Sequence, residues 1–166
     1  MFIDETGLNT KMTRLYGRAK QGARCVGVVP HGHWRTSTFI CGLRRQEIIA
    51  PLVIPCPMNG AIFLDYVKGG LSTELRSGDI LVMDNLSAHK NPAVRKALAE
   101  KDVAVFYLPP YSPDLNPIEM AFAKLKALLR AAGERTVEDL CARLKPALDA
   151  FSPHDCENFF KHSGYA

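Results

Sequence analysis

Two aspartates lie at positions where apolar runs of the sequence end. Asp4 ends the short run at 2–4, and Asp84 ends the continuous apolar run at 80–84. In an open α/β sheet, ligands collect beyond the carboxyl ends of the strands. The two carboxylates are therefore candidates for a pair of metal ligands. Each could instead form a turn, but Asn91 is the better helix cap in this region, so Asp84 has no evident structural role.

Glu119 is a third candidate acid, and two interpretations of it stay open. It follows Asn116, Pro117 and Ile118, which predict an N-cap and a proline at the first helical position. This spacing matches a capping box, which would explain the glutamate without any chemistry. The alternative is that the start of the helix presents Glu119 toward the strand ends, where it would join the two aspartates.

Basic residues accompany these acids. The helix that begins near Glu119 carries Lys126 and Arg130 on the same edge as the glutamate. Arg14 and Arg18 belong to a second basic group, at 11–24, which contains no acidic residue, and the net charge of the chain is +4. Such groups suit a polyanion, whose phosphates they would contact, although a solvated basic surface has the same composition.

The elements that position these residues follow from the periodicity of the chain. Strands are predicted at 2–4, 26–30, 35–43, 48–54, 80–84 and 103–108. Helices are predicted after Asn59, from 92 to about 100, from 117 to about 131, and from Thr136, which begins the last one. Strands come first, helices and strands then alternate, and helices follow. This order predicts an α/β fold with a mixed sheet.

Length and composition limit the class of protein. The 166 residues suit one domain, and 47% hydrophobic with 23% charged residues is typical of a folded globular protein. The sequence has no apolar run of about 18 residues and no secretory signal at its start, so we expect a cytoplasmic protein without a membrane partner. Five scattered cysteines favour reduced thiols over a disulfide framework.

Three motifs resemble those of the DDE transposases, specifically the bacterial insertion-sequence branch of the mariner superfamily. They are FIDET at 2–6, VMDN at 82–85 with HK at 89–90, and LPPYSPDLNPIE at 108–119. The 34 residues between Asp84 and Glu119 match the spacing of the second and third acids in that branch. Phe122 stands where many relatives have tryptophan. The resemblance covers essentially the whole chain, and we expect a single catalytic domain over 1–166 without the family's N-terminal helix-turn-helix region.

The resemblance implies a ribonuclease-H-like mixed sheet flanked by helices, with Asp4, Asp84 and Glu119 as catalytic residues that bind two Mg²⁺ or Mn²⁺ ions. It implies cleavage of DNA at the ends of a mobile element, followed by attack of the freed 3′-hydroxyl on target DNA. The expected partners are the terminal inverted repeats, the target DNA and a second copy of the chain. A helix-turn-helix protein from an upstream reading frame is a further expected partner, and the expected location is the nucleoid.

The same resemblance marks His89, within an Asp-Asn-x-x-x-His pattern. Two functional interpretations of His89 are open: it contacts a DNA phosphate, or it supports a metal ligand. The structural interpretation is a surface histidine at the entry to a helix. Glu5 is expected to point away from Asp4, because strand side chains alternate between faces. The DNA-binding set that we expect consists of Arg14, Arg18, His89, Lys90, Lys126 and Arg130.

Other functions fit these residues less well. A catalytically silent DNA-binding or dimerisation remnant of a transposase would keep the fold without strand transfer. A phosphatase with an aspartate nucleophile would need a second aspartate two residues after Asp4, where the chain has Thr6. A plain ribonuclease H has a different set and spacing of acids, and it gives the proline-rich loop no role.

Overall fold

The computed structural model describes residues 1–165 and contains a five-stranded sheet with helices on both faces. The strands are β1 Phe2–Asn9, β2 Thr36–Leu43, β3 Ile48–Ile54, β4 Ile80–Met83 and β5 Ala104–Tyr107. The helices are α1 Gly60–Lys68, α2 Pro92–Ala99, α3 Pro117–Ala132, α4 Val137–Asp149 and α5 Pro153–His162. Within these residues, no helix is long and apolar enough to cross a membrane.

The sheet is mixed, as predicted. Its strand order is β3-β2-β1-β4-β5, with β1 in the centre. The first three strands pair antiparallel, whereas β4 is parallel to β1 and β5 is parallel to β4. Parallel neighbours need crossover connections. The connection from β1 to β4 includes α1, and the connection from β4 to β5 includes α2.

Each face of the sheet has its own hydrophobic core. On one face, α1 and α2 pack against buried strand residues such as Ile3 and Met83. On the other face, α3, α4 and α5 pack against residues such as Phe2, and the rings of Phe39 and Phe122 meet edge to face at 6.2 Å. The buried positions of α3 include the whole apolar stripe expected from its sequence, namely Ile118, Phe122, Leu125 and Leu129.

The register of the central strands places Asp4 beside Asp84. β1 pairs with β4 at Phe2 with Val82 and at Ile3 with Met83, so the two aspartates are the next residues on adjacent parallel strands. The prediction that the first strand ends at Asp4 is wrong, because antiparallel pairing with β2 continues to the end of β1. Asp4 therefore lies inside a hydrogen-bonded strand, whereas Asp84 follows the last residue of β4.

The strand predicted at 26–30 does not form. β1 and β2 pair with each other along all eight residues of each strand. The chain at 10–35, which connects β1 to β2 and which we call the basic loop, pairs with no strand of the sheet. Val26 and Val28 are 85% and 91% exposed, so their apolar character reflects neither a strand nor a core position.

A helix follows the one predicted to be last. α5 begins after Ser152, whose side chain accepts the backbone N–H of Asp155 at 3.2 Å. The Asp155 carboxylate accepts the backbone N–H of Ser152 in return, at 2.8 Å. This reciprocal capping box, with a proline at the first helical position, was the signal that sequence analysis missed. The Thr136 cap of α4 forms as predicted, since its hydroxyl accepts the backbone N–H of Asp139.

Candidate active site

A cleft of about 440 Å³ opens beyond the end of β4, and all three predicted acids line it. Asp4 reaches it from inside β1, Asp84 from the end of β4, and Glu119 from the first turn of α3. The proline-rich segment after β5 forms another wall, through Leu108 to Pro113. We call this feature the acidic cleft. It brings together residues that are more than a hundred positions apart in the sequence.

Asp4 is the most buried of the three acids, with 7% of the residue exposed. Its Oδ1 accepts the backbone N–H of Glu5 at 2.8 Å, and its Oδ2 accepts the side-chain amide of Asn116 at 2.8 Å. Burial raises the pKa of Asp4 to about 7, and the charges of Asp84 and Glu119 add to this effect despite the opposing Glu5 N–H. The site therefore concentrates negative charge that a bound cation would offset.

Asp84 is held by a buried histidine. Its Oδ1 lies 2.7 Å from Nδ1 of His89 and also accepts the backbone N–H of Leu86 at 3.1 Å. The ring N–H is not aligned with the oxygen, so the close contact with His89 is an ion pair and not a hydrogen bond. Burial alone would raise the pKa of Asp84, but the histidine and the Leu86 N–H lower it below its usual value.

His89 connects two carboxylates. Its other ring nitrogen, Nε2, lies 3.1 Å from Oε2 of Glu5, and its ring packs on Phe63 with the ring centroids 4.4 Å apart. Burial lowers the pKa of His89, but the charges of Asp84 and Glu5 raise it more, to about 9. The imidazole is therefore held as a cation between two anions. Glu5 points away from Asp4, toward the α1 side of the sheet, as strand alternation predicts.

Both surface interpretations of His89 are wrong. The side chain is fully buried, so it is neither an exposed histidine at a helix entry nor a group that reaches a DNA phosphate. Its two ring nitrogens face carboxylates instead, and the Tyr107 hydroxyl donates to its backbone carbonyl at 3.2 Å. The structure thus agrees with the remaining interpretation, in which His89 supports a candidate metal ligand.

The capping-box interpretation of Glu119 is also wrong. Asn116 is the N-cap residue of α3, but its side chain makes no capping hydrogen bond. The Asn116 amide is directed to Asp4 instead. Glu119 is exposed at the cleft, and no hydrogen bond or ion pair of its side chain is present among residues 1–165. The carboxylate of Glu119 is therefore available to a ligand in the cleft.

The donor chemistry of the acidic cleft fits a hard divalent cation, because three carboxylates from three elements face one solvent-filled space. Within the described chain, no three acidic, histidine or cysteine side chains are already gathered in metal-binding geometry. This is expected of carboxylates that repel each other and that are directed to other partners, as Asp4 is to Asn116 and Asp84 to His89. Carboxylates that would hold a cation are therefore present at the cleft.

Five of the predicted DNA-binding residues are at least partly exposed: Arg14, Arg18, Lys90, Lys126 and Arg130. None of them takes part in an ion pair within residues 1–165. Lys126 and Arg130 lie on α3, and Arg130 lines a cavity with Lys11 and Trp34, whose ring lies 4.6 Å from the Lys11 ammonium. The other three come from the basic loop and from the segment before α2. Their positive charges are free to meet phosphates.

Sequence analysis missed two residues of the site. The sequence predicts only a helix cap at Asn116 and only a residue outside the cleft at Glu5. The available signal for Glu5 is the alternation of side chains along β1, which places Glu5 on the face of the sheet where His89 lies. For Asn116, no local signal exists, because its partner Asp4 is 112 positions away.

The sheet order and the helices on both of its faces define a ribonuclease-H-like fold, similar to that of the Mos1 transposase catalytic domain. A Mos1 transposase paired-end complex with the left transposon end matches with a TM-score of 0.76 and 18% identity, over 96% of this chain and 50% of that chain. A pre-cleavage Mos1 transpososome matches with a TM-score of 0.75 and 16% identity, over 99% of this chain and 52% of that one. The Mos1 catalytic domain matches with a TM-score of 0.62 and 17% identity, over 79% of this chain and 71% of that chain.

The chain belongs to the DDE superfamily endonuclease family, whose sequence model matches residues 1–141. That span contains all three acids of the cleft, and the DDE family and the ribonuclease-H-like fold expected from the motifs are confirmed. The chain spans about half the length of the Mos1 transposase chains in the paired-end and pre-cleavage complexes. No curated protein matches it in sequence.

Proposed function

We propose that this chain is the catalytic domain of a DDE transposase of the bacterial insertion-sequence branch of the mariner superfamily. It cleaves DNA at the ends of a mobile element and joins the freed 3′-hydroxyl to target DNA. The observation that carries this proposal is the convergence of Asp4, Asp84 and Glu119 on one cleft in a DDE-family fold. The same three acids are those that the family motifs single out.

Asp4, Asp84 and Glu119 are the residues that would hold the metal. Two bound Mg²⁺ or Mn²⁺ ions would supply Lewis-acid stabilisation of the attacking and leaving oxygens in each displacement at phosphorus. The chain itself supplies orientation: His89 holds Asp84, and the Glu5 N–H and the Asn116 amide hold Asp4. Glu119 has no such partner among residues 1–165, so its carboxylate is available to the metal.

DNA is the proposed substrate and partner. Lys126 and Arg130 extend from the Glu119 end of α3, so a strand entering the cleft would meet their charges next. Arg14, Arg18 and Lys90 would contact further phosphates. The solved neighbours include a Mos1 paired-end complex with a transposon end and a strand transfer complex, which supports element-end and target DNA as ligands.

The assembly is proposed on the same basis. We propose one catalytic domain over 1–166 that acts as a homodimer on DNA and works at the nucleoid. Recognition of the terminal repeats would come from a helix-turn-helix protein encoded in an upstream frame.

The test is cleavage of a labelled DNA duplex carrying the element end, with Mn²⁺ present. The chain is compared with Asp84→Ala and with Asp114→Ala, whose exposed carboxylate lies in the same loop region but does not line the cleft. We expect metal-dependent nicking that is lost in Asp84→Ala and kept in Asp114→Ala. Absence of nicking by the chain alone and by its fusion to the upstream helix-turn-helix protein would overturn the proposal and favour a silent remnant.

A further inference from the structure

Three helices of this protein begin after an asparagine, but only two of these asparagines cap their helix. The side chain of Asn59 accepts backbone N–H groups from the first turn of α1 at 3.0 Å. The side chain of Asn91 accepts the N–H of Ala93 in α2 at 2.9 Å. The side chain of Asn116 makes no capping bond to α3. Capping is the common role of asparagine at this position, so Asn116 is the exception.

Local sequence does not explain the exception. Asn91 and Asn116 are both followed by proline at the first helical position, so the two helix starts share the same dipeptide. Tertiary structure explains it, because Asn116 is only 4% exposed and its amide nitrogen donates to Oδ2 of Asp4 at 2.8 Å. The side chain has exchanged a local partner for one in the acidic cleft.

This exchange gains the hydrogen bond to Asp4 but has two unfavourable consequences for the stability of the fold. A cap that contributes to helix stability is given up. In addition, the carbonyl oxygen of the Asn116 side chain is buried and has no hydrogen-bond partner among the described residues, which is unfavourable. If Asn116 served only the fold, we would expect its side chain to cap α3 and its carbonyl oxygen to accept a hydrogen bond. The arrangement therefore indicates a role for Asn116 at Asp4.

We infer that Asn116 is a positioning residue that orients the Asp4 carboxylate for a divalent cation, an inference that rests on the proposed function. The amide donates one hydrogen bond to one carboxylate oxygen, which fixes the plane of the carboxylate inside β1. It carries no charge, so it does not compete with the cation as a lysine would. An aspartate at 116 would cap α3 but would add a like charge beside Asp4.

The substitution Asn116→Ser separates positioning from folding, because serine caps helices about as well as asparagine but is one atom too short to keep the same bond to Asp4. Asn91→Ser makes the same exchange at the matched helix start, away from the cleft. Mn²⁺ binding is measured by the electron paramagnetic resonance of free Mn²⁺, and Tm is measured without metal. We expect Asn116→Ser to bind Mn²⁺ about 10- to 100-fold more weakly, as for other partners of metal ligands. We expect its Tm to change no more than that of Asn91→Ser, whose Mn²⁺ affinity stays at the wild-type value.

A second measurement needs neither the metal nor the serine variant. In ¹⁵N–¹H spectra of the metal-free chain, the side-chain amide protons of Asn116 should exchange slowly with solvent, and Asp4→Ala should remove this protection. Unprotected amide protons in the wild-type chain would overturn the inference. So would wild-type Mn²⁺ affinity in Asn116→Ser when Asp4→Ala has lost it, a result that leaves the proposed function standing. A wild-type chain that binds no Mn²⁺ would instead contradict the proposed function, and the positioning role with it.

Discussion

Nδ1 of His89 lies 2.7 Å from Oδ1 of Asp84, and the imidazole is fully buried. Because the opposite ring nitrogen faces Glu5, one buried cation is paired with two carboxylates, one of which lines the acidic cleft. The arrangement gives Asp84 a fixed position before any ligand arrives. It also makes the position of Asp84 at the end of β4 depend on a residue that does not line the cleft.

Replacement of His89 by alanine is expected to destabilise the protein by about 3–5 kcal/mol, because it leaves two partly buried carboxylates without their counter-charge. Loss of the packing on Phe63 adds to this effect. Urea denaturation at neutral pH measures the change in the free energy of unfolding. His154→Ala, at an exposed histidine in α5, is the control and should change it by less than about 0.5 kcal/mol. A loss below about 1 kcal/mol in His89→Ala would mean that the ion pairs do not form in solution.

A second ion pair predicts a pH dependence of stability away from the cleft. The Arg44 guanidinium donates to both carboxylate oxygens of Asp79, at 2.9 and 2.6 Å, and holds the pKa of Asp79 at about 2, below its ordinary 3.8. A depressed pKa in the folded state stabilises the protein above the unfolded pKa, and this stabilisation is lost as the pH falls toward 2. Asp79→Asn should therefore lower the free energy of unfolding by about 1–2 kcal/mol at pH 7.

The pH series distinguishes this ion pair from a loss of packing. The difference between wild type and Asp79→Asn should stay constant from pH 7 to about 5 and then shrink as the pH falls to about 2. Asp65→Asn, at an exposed position of α1, should show no such difference. A difference that is independent of pH over this range would contradict the assignment of the stabilisation to the ionised carboxylate.

Most of the fold could be predicted from the sequence because its signals are local. Four of the five helices and all five strands follow from periodicity and from caps such as Asn59, Asn91 and Thr136. The false strand at 26–30 shows the limit of this approach. Valine-rich sequence favours a strand only where it joins a sheet and packs its side chains, whereas Val26 and Val28 lie exposed in the basic loop, outside the sheet.

The acids of the site could be predicted, but their supports could not. Asp84 and Glu119 lie in motifs with family-specific spacing. His89 was visible as a motif residue, yet its burial depends on Phe63 and Glu5, which belong to other elements. Asn116 is the clearest case: the same asparagine–proline pair caps α2 at Asn91, and only the position of Asp4 in the folded chain makes the difference.

DNA binding should depend on the basic edge of α3. The double substitution Lys126→Ala with Arg130→Ala removes two charges that form no ion pair within residues 1–165. We therefore expect weaker binding and a slope of log K against log salt that is lower by about 2. Fluorescence anisotropy with a labelled duplex at several salt concentrations measures both. Arg95→Ala with Lys96→Ala removes the same charge from α2, on the other face of the sheet, and should leave the slope nearly unchanged. Equal effects of the two pairs would mean that net charge, and not the α3 edge, drives binding.

Tyr111, on the wall of the acidic cleft, combines backbone strain with full exposure. Its φ is 58°, in the left-handed region, and the residue is fully exposed, so the ring contributes no packing to the fold. Tyr111→Gly should therefore raise the free energy of unfolding by about 0.5–1 kcal/mol, while Tyr111→Ala, which keeps the strain, should leave it unchanged. Both variants remove the ring, so if Tyr111 stacks on a base at the cleft, both should weaken binding of single-stranded element-end DNA about 5- to 100-fold. A glycine variant no more stable than the alanine variant would contradict the strain. Wild-type DNA affinity in both variants would show that the exposed ring does not bind the DNA.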